Sequence, residues 1–517
     1  VVVKETRWTV DGVSSVFHSG AWLVWGTIAA LALWLGPAAA QPPDTGLEGQ
    51  RIEELERLVP RLPDAFAADV LLRMAAFAPK AGKRREWLQE SFRHARRVEH
   101  PPVAVKYFGT GGDTLYGYRE YASALELDAL SLPVRAAAAM AALDRRRAIE
   151  LFGEIRKPAF PAGGCKAPLA PDPSIYYAEL GKLAKAPPAD KQEREALELL
   201  VDRAVANVSN AAEAMAAAVM VIGLEPDRER LETLLASLAA ALLRLEGDFR
   251  SFVGFTTRGF DVFPALMQQA QGRGIDTRGF AGALRQWIVR NLNAPQCKDT
   301  LARLARGRRG GGAPAQLDLN LLPAVAGFNG AVAPRFQSGD GLPPISPEEV
   351  RPPREHDEPL AETRYLTSGK GRELSERIRR TLGRRLSPGK DEAASEAEIE
   401  SEAKSLLEAL RDWKPEADEF YLDHYHTKMV LYQALMRDVP AGPYREQAAR
   451  EWGEFIDGSY DRMESKAEWA YYLLTHLVGR ASESAQGAAV REIAARSHNP
   501  VLLAYVLLWR LKAGNGA

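Results

Sequence analysis

Cysteine is scarce. The 517 residues include two, Cys165 and Cys297. That count excludes a small disulfide-dense scaffold. With no histidine pair near either, it argues against a zinc site of ordinary spacing. Charge of one sign is lacking too: 67 Lys plus Arg face 68 Asp plus Glu, a net charge of −1. There is no basic stripe of the kind that tracks nucleic acid and no polybasic membrane patch, so neither partner is expected. Catalytic signatures are missing as well. No Gly-x-x-x-x-Gly-Lys loop, His-Glu-x-x-His helix or nucleophile-elbow serine occurs, and no cofactor is implied. Long apolar runs are limited to one.

That run is Ala21 to Leu35, relieved only by Gly26 and Thr27. It closes on Gly36-Pro37-Ala38-Ala39-Ala40, then Gln41-Pro42-Pro43-Asp44. An apolar core, a helix breaker and small residues at −3 and −1 make the layout of a secretory signal, with cleavage expected after Ala40. The basic lead-in is weak, since Lys4 and Arg7 are offset by Glu5 and Asp11, and no methionine precedes Met74. The competing reading is an uncleaved anchor, because Ala21 to Ala40 is just long enough to span a bilayer. Export to a periplasm or the cell exterior is the expected localisation. In such an oxidising compartment Cys165 and Cys297 become a disulfide candidate.

What the chain has in abundance is helical periodicity. Phe66, Val70, Met74 and Phe77 form one stripe; Leu88, Phe92 and Ala95 form another. Ala148, Leu151, Phe152 and Ile155 repeat at i, i+3, i+4 and i+7. So do Leu197, Leu200, Val201, Ala204, Val205 and Val208, and then Leu231 through Leu245. Such stripes mark amphipathic helices, and strand alternation is hard to find. Asn499-Pro500 pairs an N-cap with proline at the first helical position, ahead of a helix expected to bury Leu502, Tyr505, Val506 and Trp509.

The fold class expected is all-α: an irregular, α-solenoid-like array of helical hairpins, in two helical segments joined by a Gly/Pro-rich connection. Residues 1–40 read as the signal, 41–306 as the N-terminal array, 307–360 as the linker and 361–517 as the C-terminal array. Within the linker, Leu317 to Phe328 reads as a short helix that docks back. Asp144 to Phe152, and more loosely Pro443 to Trp452, resemble the second helix of a tetratricopeptide-type hairpin. The resemblance covers some 20 residues, and no clean period of 34 or 40 recurs.

Chemistry is sparse. Two Gly/aromatic stretches interrupt the helices, and Tyr107, Asp113, Tyr116, Arg119, Phe255, Arg258 and Asp261 could line a groove for a peptide or a glycan. Loop packing is the plainer account of the same residues. Glu419, Asp423 and His426 share a helix face at i, i+4 and i+7, a spacing that could hold a divalent ion. The alternative there is an aromatic-rich packed helix with an edge histidine. His476 reads as a core histidine, and His94 as a favourable charge near a helix end.

Two functions follow. The first is an exported helical scaffold that binds a protein or peptide, since such arrays present extended recognition surfaces. The second is an exported helical-toroid enzyme acting on polysaccharide, whose paired carboxylates one sequence cannot expose. An elongated particle would mark the first and a compact one the second.

Overall fold

The computed structural model describes residues 45–78, 80–98, 106–107, 126–156, 173–247, 252, 261–294, 296–297, 323–337, 341–350, 355–356, 361–362, 369–386, 396–414, 421–439, 442–459 and 499–514. Among the described residues, those within Ile52–Trp509 form one compact unit; 45–51 and 510–514 belong to a second, in which Arg51 Nη1 donates to the Arg510 carbonyl at 3.1 Å.

Among the described residues there are 17 α-helices. They are α1 (Thr45–Leu58), α2 (Asp64–Met74), α3 (Ala81–Ala95), α4 (Ser131–Ala141), α5 (Arg145–Glu154) and α6 (Ser174–Lys185). Next come α7 (Lys191–Ala206), α8 (Ala211–Leu224), α9 (Arg228–Arg244), α10 (Val262–Gly272), α11 (Arg278–Leu292) and α12 (Pro323–Gln337). The last are α13 (Gly369–Leu386), α14 (Glu396–Asp412), α15 (Tyr421–Asp438), α16 (Pro443–Ser459) and α17 (Pro500–Gly514). Extended pairing among the described residues amounts to two isolated parallel ladders of two residues each. Lys106–Tyr107 pairs with Ala361–Glu362, and Gln296–Cys297 with Glu355–His356.

Sequential packing makes two layers. Helices α4, α6, α8, α10 and α12 pack each on the next, and α5, α7, α9 and α11 do the same beside them. Each hairpin therefore contributes one helix to each layer. The pattern recurs in α13–α16: α13 packs on α15, α14 on α16, and the pairs α13/α14 and α15/α16 close against each other. The two segments resembling a second hairpin helix, in α5 and α16, are each the second member of such a pair. Helix α12, inside the stretch read as a linker, packs on α10 and α11.

The stripes are the reason for this packing. Phe66, Val70 and Met74 of α2 and Leu88, Phe92 and Ala95 of α3 are buried against each other's helix, as are the α7 and α9 stripes in the second layer. Burying each Leu, Val or Phe contributes roughly 1.5–3 kcal/mol, so the faces leave little choice of orientation. The helix starts are set locally. Asp144, Asp190, Asn210 and Asp227 are N-caps whose side-chain oxygens accept from the backbone N–H groups of Arg147, Glu193, Glu213 and Arg230, at 2.8–3.0 Å.

Helix ends are tied between hairpins by basic side chains. Arg145, opening α5, donates to the Leu183 and Ala186 carbonyls at the end of α6, 2.8 Å each. Lys185 of α6 reaches the Gly223 carbonyl at the end of α8 at 3.1 Å. In the second layer Arg244 of α9 serves Ala206 of α7, and Arg290 of α11 serves Leu243 of α9 at 2.8 Å. The last carbonyls of a helix have no intrahelical partner and carry partial negative charge, which a cation from the neighbouring hairpin satisfies. Two glycines allow close approach. A Cβ on Gly181 would lie 3.2 Å from Met220, and one on Gly247 only 2.8 Å from the Arg290 carbonyl.

Candidate functional site

Helix α8 is the centre of the first layer, touching α6 and α10 in its own layer and α7 and α9 behind. Its sequence, AAEAMAAAVMVIGL, is dominated by alanine, which lets neighbouring helices approach closely. Its one charged residue, Glu213, is buried; its carboxylate accepts from the Ser209 N–H at 2.8 Å and the Ser209 hydroxyl at 3.1 Å. The outward line of α8 is Met215, Val219, Ile222 and Gly223, with no charge on it. Val219 is 58% exposed. A solvated helix face ordinarily carries charged or polar residues, so an apolar line at the middle of a layer stands out. Beside it, α6 presents half-buried Ile175 and exposed Ala178, and α10 presents exposed Ala265 and Gln268. Charge is held at the margin, where Lys182 pairs with Glu179 at 2.6 Å and Lys185 with Glu225 at 3.0 Å. Two further large apolar side chains of the second layer, Leu199 and Leu243, are also exposed.

Two buried polar clusters lie elsewhere. In the first, Asp69 of α2 is fully buried. Its Oδ2 accepts from Arg73 Nε and the Tyr505 hydroxyl, both at 2.7 Å, and Arg135 Nη1 is 3.0 Å from its Oδ1. Burial alone would raise this carboxyl, but Arg73, then Arg135, and the hydrogen bonds outweigh it and hold it below the usual carboxylate range. Burial and the adjacent carboxylate push Tyr505 far up. The second cluster sits among α14–α16. Lys428 Nζ donates to the Trp413 carbonyl at 2.9 Å, past the end of α14, and lies 5.0 Å from the Phe455 ring. Burial lowers Lys428 to about 8. His424, one turn away, stacks edge-on against Trp413 at 4.5 Å; burial, then Lys428, lowers it to about 3. Stability held in a neutral buried histidine is present above its unfolded pKa and lost on protonation. Urea stability is therefore expected to fall between pH 6.5 and 3, and the His424→Leu variant to lack that part of the fall.

The sequence matches no protein-family model, no curated protein and no solved structure.

Of the groove residues expected from sequence, Asp113, Tyr116, Arg119, Phe255 and Arg258 lie outside the described residues. Tyr107 is described by its backbone, in the pairing with Glu362. Asp261 is exposed at the start of α10, where its carbonyl accepts from the Ala265 N–H at 3.0 Å. Cys165 lies outside the described residues, and Cys297 is described by its backbone, paired with His356. Glu419 is outside them too; Asp423 and His426 lie on α15. Among the described residues no group of three His, Cys, Asp or Glu side chains could hold a metal ion. His94, in the last turn of α3, has Nδ1 2.6 Å from Asp64 Oδ1 in the first turn of α2 and Nε2 3.5 Å from Glu90 Oε1 of its own helix, so it sits between two carboxylates.

Asp69, Asp190, Glu225, Glu348 and Glu349 all shift down. That direction keeps a carboxylate ionised, whereas a general acid needs the opposite. A crevice between α10, α11 and α12, lined by Met267, Thr277, Ala281, Val332 and Leu342, has a volume of about 20 Å³, room for a water molecule. The uncharged line of α8 was not marked in the sequence. An Ala-rich helix shows apolar residues on every side, and periodicity cannot tell which of them face out.

Proposed function

We propose that this chain is an exported helical scaffold that binds a protein or peptide partner. The observation that carries the reading is the outward line of α8, where Met215, Val219 and Ile222 meet solvent without a charge among them. Covering such a line with a partner's apolar side chains removes area from water at roughly 25 cal/mol per Å². Paired helices repeated in two layers support the same reading, because stacked hairpins commonly serve as recognition scaffolds. The likeness of Asp144–Phe152 and Pro443–Trp452 to tetratricopeptide-type second helices agrees with it. Export rests on the apolar run and the Ala-x-Ala site ahead of Gln41, and it is what makes a Cys165–Cys297 bridge reasonable.

The test uses residues 41–517 as bait in an envelope extract. Wild type is expected to retain a stoichiometric protein. Val219→Lys is expected to weaken that retention at least tenfold, about 1.4 kcal/mol, with an unchanged unfolding midpoint. Equal retention by both proteins would remove α8 from the binding surface.

One observation favours the rival, an exported helical-toroid enzyme acting on polysaccharide. Tyr505 on the last described helix touches Asp69 and Phe66 on α2, and a ring of hairpins needs a contact between late and early helices. Retention of glycan in place of protein, with release of shortened oligosaccharides, would favour that reading.

A further inference from the structure

Between residues 500 and 508 the C-terminal helix reads Pro-Val-Leu-Leu-Ala-Tyr-Val-Leu-Leu. Val501, Leu502, Ala504, Tyr505, Val506, Leu507 and Leu508 are buried and Leu503 is half-buried, so apolar side chains lie on every side of the helix. Hydrophobic burial is non-directional. A helix apolar all round gains similar burial when turned about its axis, and the usual cue to orientation, a polar face left in water, is missing here. Asn499 fixes where the helix begins, its Oδ1 accepting from the Val501 N–H at 3.0 Å, but a cap does not say which side faces α2.

One side-chain polar atom lies in this stretch, the Tyr505 hydroxyl, and it meets Asp69 Oδ2 at 2.7 Å. The acceptor is held from several directions. Arg73 donates to the same oxygen, Arg135 approaches the other at 3.0 Å, and Arg135 Nε is itself 3.3 Å from Glu126 Oε2. Glu126 adopts a left-handed backbone, φ 56°, and its carbonyl accepts from Arg135 at 3.2 Å. Phe66 meets the Tyr505 ring edge-on, centroids 6.4 Å apart and planes at 84°. Any other rotation of the helix would leave a phenol hydroxyl buried without this acceptor, and an unmade buried hydrogen bond is penalised far more than a made one is rewarded.

We propose that the Tyr505 hydroxyl is a register device: it selects one rotational setting of the C-terminal helix on α2 from several that burial alone would accept. Single buried polar groups set register in otherwise apolar helix contacts in the same way. Tyr505 is thus a positioning residue, acting through the geometry of the Asp69 acceptor.

The test is methyl NMR on the full chain labelled at alanine methyls, following Ala504. Wild type should give one Ala504 resonance. Tyr505→Phe should give at least two, or one broadened by exchange, with the added states reaching a tenth of the population or more. A single sharp resonance at the wild-type position in Tyr505→Phe would overturn the proposal. So would a random-coil position, which would mean that the hydroxyl holds the helix on rather than choosing its rotation. A second variant, Tyr505→Phe with Val506→Tyr, carries the hydroxyl about 100° around the helix, to another buried side. It should restore a single Ala504 resonance at a new position, as the helix turns to bring the hydroxyl back to Asp69. An Ala504 resonance unmoved from its wild-type position in that variant would sink the idea.

Discussion

The Asp69→Ala variant is expected to lose about 3 kcal/mol of unfolding free energy at neutral pH, read from the urea midpoint. Asp69 is fully buried and is the shared partner of Arg73, Arg135 and the Tyr505 hydroxyl. Removing it leaves a phenol and parts of two guanidinium groups without their acceptor. The lower end of the usual range for a broken buried pair applies, because Arg73 and Arg135 keep some contact with water. The variant should also change the acid limb. Asp69 is held below its ordinary value of 3.8, so its contribution is fully present above that value and is lost as pH falls through the lower folded value. Wild type should therefore lose stability below about pH 4, and Asp69→Ala should lack that part of the loss. Equal acid limbs in the two proteins would count against the charge pairing described.

The second large effect is expected at Trp287 of α11. Trp287 is buried and takes two aromatic partners edge-on: Phe252, with ring centroids 5.2 Å apart, and Phe263 of α10 at 5.8 Å. Both are themselves fully buried, so nothing at the surface can move in to fill the space. Trp287→Ala should cost about 3–5 kcal/mol, since it forfeits the transfer energy of the indole and leaves a cavity that rigid neighbours close only in part. Trp287→Phe should recover more than half of that, because one ring can still meet the two partners. The chemical unfolding midpoint measures both, with near-ultraviolet circular dichroism reporting the lost aromatic packing. A loss under 1 kcal/mol in Trp287→Ala would mean that α10 and α11 are not joined through this cluster.

These two sites differ in how visible they are in the sequence. The apolar stripes of α2, α3, α7 and α9 can be read from spacing, and they are buried along the lines expected. The caps can be read as well: Asn499 before Pro500, and Asp190 and Asn210 each three residues before a glutamate. Asp69 is different. It stands between Ala68 and Val70 in a stripe, and nothing nearby in the sequence says that Arg135 and Tyr505 will come to it. Trp509 marks the opposite failure. It continues the spacing of Leu502, Tyr505 and Val506, yet it is 39% exposed, because spacing names a face without saying how far along the helix the neighbours reach.

What the sequence determined by itself is everything that depends on residues a few positions apart: the all-helical class, the buried stripes, and the starts of several helices. Periodicity and capping act over one or two turns, so they are legible without a fold. Tertiary structure decided which residues of Ala-rich α8 face out, how the hairpins sort into two layers, and how Arg145, Lys185, Arg244 and Arg290 find the carbonyls of a neighbouring hairpin. It also decided the contact between Asp69 and Tyr505, 436 positions apart. Contacts at such separations depend on how many helices pack between them, and no local pattern of hydrophobicity or charge encodes that count.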